Sequence, residues 1–287
     1  MSTSSSDETS DAVSLNDMGM FNEPENFRPK PEKEHFVVYK RKGYKPDDEH
    51  GIKQIRLRLV GKSPLWGHLL WNAGKYTAEY IDEHAQELVR GKNVVEFGSA
   101  STLPSLLCCI DGARRVIATD YPDQDLLLNM EYNIEHLDFD EDVKNRVLTT
   151  EGFIWGNDTQ PIRAKLMGPG GNEEDKFADF VIMSDLVFNH TEHRKLLRSC
   201  KELIRPLSDK SKPRSGGKCL VVWSPHRPRK QMIENDFNFF EIAKTEFNFD
   251  VEFVEMVHWS HPMFLEEPKE TEEIRKRVYC YILHPTW

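Results

Sequence analysis

From residue 93 onward, short apolar runs of strand length alternate with stretches whose apolar residues recur at three- and four-residue spacing. The runs are NVVEF, RVIATD, RVLTTEGFIW, ADFVIMSDLVF, KCLVVWSP, DVEFVEMV and RVYCYILHP. Between them lie amphipathic stretches, among them LPSLLCCIDG, DLLLNMEYNIEHL, EHRKLLRSCKELI and RKQMIENDFNFFEIAKTE. Apolar strands separated by such helices predict an α/β fold, a seven-stranded, mostly parallel sheet with helices on both faces. Ahead of it, QIRLRLV (54–60) alternates as a half-exposed strand does. A Ser63-Pro64 start then predicts a helix with periodic Leu69, Leu70, Ala73, Tyr76, Tyr80 and Ile81. The Gly/Pro-rich segments MGPGGNEEDK and LSDKSKPRSGG read as exposed connections.

Composition narrows this picture. Residues 1–33 are rich in Ser, Asp, Glu and Pro, which predicts a mostly disordered N-terminal extension ahead of one domain over 34–287. The 38 Lys and Arg against 48 Asp and Glu give a net charge of −10. That balance argues against nucleic-acid binding through bulk charge and suits a basic protein partner. The five cysteines form no CxxC pair and have no matching His spacing, so neither a disulfide framework nor a metal site is expected. With no signal-peptide core and no apolar run near ~20 residues, the expectation is a soluble cytoplasmic protein that does not engage a membrane.

Candidate chemistry sits where strands end, because open parallel sheets bind ligands at the carboxyl ends of their strands. The first central strand ends in Glu96 and passes into FGSASTLP; the next ends at Asp120, about twenty residues further on. An acid at that spacing suits two vicinal ribose hydroxyls, or else caps the following helix. The dinucleotide fingerprint needs glycines where this chain has Ala100 and Leu103, so a pyrophosphate cradle is disfavoured. Glu96 would repel phosphate but suits a cationic amino-acid end, and S-adenosylmethionine carries a sulfonium, an ammonium and no phosphate.

Together VVEFGSASTLPS, ATDYPD, FIWGND and SDLVFNH resemble the seven-stranded class I S-adenosylmethionine-dependent methyltransferases, in the branch called lysine methyltransferase family 16. From about residue 18 to the C-terminus, FRPKPEKEHFVVYKR, LRLVGKSPLWGHLLWNAGKYTAEYIDEHAQELV and WSPHRPRK are similar to fungal members of that family. Those members methylate the N-terminal glycine and adjacent lysine of translation elongation factor 1-alpha. The resemblance implies a Rossmann-like sheet with an antiparallel last strand, S-adenosyl-L-methionine as cofactor, a monomer, and a protein substrate. It places Gly98, Ser99 and Ala100 along the methionine and ribose, Asp120 on the ribose and Trp155 beside the adenine. It also implies that Trp71 closes over the cofactor and that Ser184 contacts it through the backbone. Asp185 and Phe188 match an acid-x-x-aromatic signature in which the acid positions the acceptor amine. Asn189 and His190 are candidates to line the acceptor channel, with His226 and Arg227 as secondary ones. The chain departs from the common family glycine pattern at Ser99-Ala100-Ser101.

Three classes stay open: an amine methyltransferase acting on a protein or a small molecule, a nucleotide-dependent oxidoreductase, and a catalytically silent binding module. The missing pyrophosphate glycines weigh against the second. The joint presence of Asp120, Trp155 and Asp185 weighs against the third. Without the resemblance, Trp71 and Trp155 read as core or rim packing.

Overall fold

Every residue of Asn93–Phe97 is buried, as a strand covered on both faces requires. The structure is a computed structural model that describes residues 33–42, 44, 51–61, 65–266 and 268–287. Among these, the chain runs β1 (His35–Lys40), β2 (Gln54–Leu59), α1 (Asn72–Glu83), α2 (Ala85–Leu88), β3 (Asn93–Phe97), α3 (Leu103–Ile110) and β4 (Arg115–Asp120). It continues α4 (Gln124–Glu135), α5 (Glu141–Val147), β5 (Leu148–Gly152), α6 (Gln160–Met167), β6 (Phe180–Ser184), α7 (His193–Leu203) and β7 (Lys218–Trp223). The last elements are α8 (Lys230–Phe247), β8 (Phe249–His258), α9 (Glu272–Arg275) and β9 (Arg277–Pro285).

Seven of the strands form one sheet in the order β5-β4-β3-β6-β7-β9-β8. Pairing from β5 through β7 is parallel, and β9 inserts antiparallel between β7 and β8. Alternate residues of each strand feed two apolar layers. Val94, Val116, Ile182 and Val222 pack beneath α1, α3 and α4, while Val95, Ile117, Met183 and Val221 pack beneath α6, α7 and α8. The order reverses between β3 and β6, and the carboxyl ends of both strands open onto that point.

The predicted sheet, its seven strands and its antiparallel last strand are all present. Differences appear in one strand's bounds and outside the sheet. Strand β1 pairs antiparallel with β2 in a separate two-stranded sheet; its HFVV run does not alternate, because Phe36 and Val38 are apolar yet exposed. Helix α1 starts at Asn72, after Trp71 in an extended conformation, and residues 62–64 lie outside the described ones. The strand read as RVLTTEGFIW is only Leu148–Gly152, entered directly from α5. That helix is hidden in the sequence because one of its two buried residues is Lys144, whose ammonium donates to the carbonyls of Glu135 and Leu137. Helix α6 buries only Ile162 and Leu166, too few to stand out as a period. The extension expected over 1–33 lies outside the described residues except for Lys33.

Residues Lys33–Trp287 form one compact unit, and all five cysteines are buried free thiols. Among the described residues no helix is long and apolar enough to cross a membrane.

Arg41 fastens the small sheet to the large domain. Its guanidinium donates to Asp82 at the end of α1 at 2.6 Å, to Asp111 just after α3 at 3.2 Å and to the Ile52 carbonyl at 3.3 Å. The Arg41 and Asp82 side chains are 4% and 2% exposed, so neither has water to fall back on. Removing one partner of a buried pair strands the other charge. Arg41→Ala is expected to lower the unfolding free energy by about 3–5 kcal/mol in urea denaturation.

Candidate active site

A turn that only small residues can make closes β3. Gly98 adopts φ +61°, and a Cβ there would meet Leu186 Cδ2 at 2.5 Å, so the turn after β3 and the one after β6 lock together at this position. Ala100 and Thr102 also have positive φ, a strained state for residues with side chains. Hydrogen bonds pin the turn. The Ser99 N–H donates to the Thr119 carbonyl at 2.9 Å, and the Ala100 N–H donates to Asp120 Oδ2 at 2.7 Å.

Glu96, beneath the turn, differs from its expected part. Its side chain is 1% exposed and faces the start of α3, where Oε2 accepts from the Ser105 N–H at 3.1 Å and from the Ser105 hydroxyl at 2.5 Å. Burial pushes its carboxyl up to about 8, against the pull of those donors. Glu96 is therefore largely uncharged at neutral pH and props the turn from below; it does not confront a ligand.

Asp120 ends β4 partly exposed. Its two oxygens accept one backbone N–H each, from Ala100 and from Tyr121, both at 2.7 Å, which leaves acceptor capacity on both. Burial raises its carboxyl to about 6 despite those two donors. The competing reading as a helix cap fails, because Asp123 caps α4 by accepting from the N–H groups of Asp125 and Leu126.

A second cluster forms around Asp185, immediately after β6. The residue is 7% exposed and held at φ +62° by its own N–H donating to the Val222 carbonyl at 2.7 Å. Its Oδ1 accepts from the Ser224 N–H at 3.2 Å and is paired with His226 Nε2 at 2.9 Å. Its Oδ2 is buried with no partner, a costly state unless something arrives to share it. The His226 ring stands edge-on to Trp71 at 4.6 Å and to Phe188 at 5.4 Å, and Trp71 in turn meets Phe264 at 5.9 Å. Burial draws the His226 pKa down, but the Asp185 carboxylate, helped by Asp236, outweighs it and holds the imidazole above its ordinary value.

The two clusters adjoin. Leu186 lies against Gly98, and Gly67 lies beside Ala100 while the Trp66 carbonyl accepts from the Trp71 indole at 3.2 Å. Segment 65–71 thus runs from the turn to the aromatic cluster. Ser184 faces α1, its hydroxyl 3.0 Å from that of Thr77. Trp155 is half-buried against the apolar layer beneath α6, α7 and α8, beyond Phe153, whose N–H donates to the Asp120 carbonyl.

His190 turns away from Asp185 and pairs with the buried Asp236 at 2.6 Å. Asn189 makes no helix cap; its Oδ1 accepts from the Thr191 hydroxyl. Arg227 donates to the Phe188 carbonyl at 2.6 Å. The sequence carries little sign of the His226–Asp185 contact: forty-one positions separate the two residues, and only the place of His226 just past the end of β7 points to it. Phe264 and Trp66 carried no sequence signal, since both lie in irregular segments. Among the described residues no group of three or more His, Cys, Asp or Glu side chains is arranged to hold a metal.

These features can be set beside known proteins. A family model described as lysine methyltransferase matches residues 54–244. A Debaryomyces hansenii protein named "Protein N-terminal and lysine N-methyltransferase EFM7" is 49% identical, covering 94% of this chain and 97% of its own. Proteins of the same name from Candida glabrata and Candida albicans are 48% and 47% identical, covering 96% and 93% of this chain and 98% and 95% of their own.

Glu96 generates a prediction with a definite sign. Its folded pKa of about 8 lies above its ordinary 4.5, so its contribution is most favourable below about pH 4.5 and is lost as pH rises toward 8. The slope for one proton is about 1.4 kcal/mol per pH unit. Glu96→Gln keeps an acceptor for Ser105 and removes that slope. Denaturant midpoints measured from pH 5 to 8 are expected to fall less steeply in the variant, which becomes the more stable protein at pH 8.

Proposed function

The chain belongs to the lysine methyltransferase family, and from that premise we propose that it transfers methyl groups from S-adenosylmethionine to protein amines, specifically the N-terminal glycine and adjacent lysine of elongation factor 1-alpha. The observation that carries the reading is the buried Asp185 carboxylate, with one oxygen held by His226 and Ser224 and the other without a partner, while Trp71 and Phe188 flank the His226 ring. An acceptor-only group in such a place suits the N–H of an incoming amine.

The donor set also fits the cofactor. Asp120 keeps acceptor capacity at the strand end beside the small-residue turn, whose sequence disfavours a pyrophosphate cradle, and suits two ribose hydroxyls. Gly98, Ser99 and Ala100 would border the methionine and ribose portion, Trp155 the adenine, and Trp71 and Ser184 the side toward Asp185. When bound, S-adenosylmethionine supplies an electrophilic methyl group on a sulfonium.

The chain's own residues have the remaining work. Displacement at a methyl group needs an uncharged nucleophile in line, so orientation and exclusion of water supply most of the rate. Asp185 orients the amine by accepting its N–H, and Trp71, Phe188 and Phe264 displace water around it. A terminal amine, with a reference pKa near ~7.7–8.0, sheds its proton more readily than lysine near ~10.4. Activity therefore rises with pH through the neutral range, more steeply on lysine.

The elongation-factor assignment draws on the likeness of FRPKPEKEHFVVYKR and WSPHRPRK to that branch, and on the net charge of −10, which attracts a basic, flexible terminus. The protein is expected to act in the cytoplasm as a monomer.

Two measurements test this reading. Asp120→Ala is expected to weaken cofactor binding in calorimetry by about 1–3 kcal/mol, whereas Asp185→Asn keeps that affinity and loses most turnover. Labelled cofactor with an N-terminal peptide of the elongation factor should label the free terminus and the lysine. N-acetylation should abolish the terminal share; undiminished total counts would show that a side chain is the acceptor and that the N-terminal assignment is wrong.

A further inference from the structure

A carboxylate beside an amine raises a difficulty for methyl transfer. An uncompensated negative charge favours the ammonium form, which has no lone pair with which to attack. We propose that His226 is a positioning residue that resolves this conflict: it fixes Asp185 with one oxygen facing the amine and balances the carboxylate's charge, so that the amine is oriented without being held as an ammonium. The inference rests on the methyl-transfer reading.

The geometry supports both parts. His226 Nε2 and the Ser224 N–H both engage Oδ1, and the Asp185 N–H is tied to Val222, so rotation of the carboxylate is blocked and Oδ2 is the oxygen left without a partner. Trp71 and Phe188 press their rings against the imidazole at 82° and 83°, which fixes its plane. The charged groups around the ring are few. Asp185 follows β6, Asp236 lies on α8 with His190 across it at 2.6 Å, and Arg227 is the next residue. Trp71, contributed from before α1, and Phe264, which packs against Trp71 from after β8, bring no charge. The imidazole's raised pKa agrees with a balancing role, since the cationic form is the one that cancels Asp185.

His226→Gln retains a side-chain amide donor and removes the charge. Its signature is a pH shift: the acid limb of kcat on the lysine acceptor moves up by about one unit, which below the limb is about a tenfold loss. The loss recovers at high pH, and KM for the cationic peptide does not rise. A profile superimposable on that of the parent, or a loss equal at every pH, would overturn the proposal.

A second arm needs neither turnover nor cofactor. In NMR titration of the full chain labelled at its eleven histidines, Asp185→Asn should lower the pKa of one imidazole. If no histidine titration moves, the pairing is absent and the proposal falls, whether or not His226→Gln folds. The outcomes are distinguishable from failure of the broader reading: a parent that methylates no amine refutes methyl transfer, whereas an active parent with an unshifted variant refutes only the role of His226.

Discussion

Parallel, in-register pairing of β3 between β4 and β6 is the constraint on which the rest depends. Glu96 stands opposite Ala118 on one side and Ile182 on the other, so all three strands end at one edge. The chain must leave each strand there, and the residues that leave are Gly98, Asp120 and Asp185. A one-residue slip would exchange the two apolar layers and turn the apolar side chains of β3 to the wrong faces. Burial of those layers thus fixes the site as firmly as any bond within it. The locked contact between Gly98 and Leu186 shows how little room the junction leaves.

At that edge three acids meet three different fates. Glu96 lies deepest and is held by one serine, and desolvation wins, so it serves as a largely neutral prop. Asp120 takes two backbone N–H groups and is perturbed less. Asp185 has an imidazole and a backbone N–H on one oxygen and nothing on the other. The differences come from what the surrounding chain offers each carboxyl, because each lies near the end of an apolar strand. They separate structural support from two prospective binding roles.

The sheet was legible because its strands bury both faces and their helices bury one, and both patterns survive in composition. Asp120 was legible as a candidate because such sheets bind ligands at strand ends, and Asp185 through the likeness of SDLVFNH to the family. Other parts were not. Lys144 conceals α5, since a lysine whose stem is buried and whose ammonium is satisfied by carbonyls looks like a surface residue in the pattern. Exposed Phe36 and Val38 conceal β1 by erasing its alternation. Glu96 misleads in the opposite direction, for an acid beside a small-residue turn at a strand end reads as a charged contact until its burial is known.

The sequence by itself determined the helix-covered parallel sheet and most of its strands and helices, disfavoured a pyrophosphate cradle, and carried the family likeness of the turn motifs. Each of these rests on local period or on side-chain size at neighbouring positions, which chain order preserves. Only the tertiary structure decided that His226 and not His190 meets Asp185, that Trp71 and Phe188 flank His226 with Phe264 against Trp71, and that Glu96 turns inward. Those contacts join residues from separate loops, and their geometry is set by how strands β6 and β7 and helix α1 pack together. No spacing along the chain encodes the distance between an imidazole and a carboxylate forty-one residues apart.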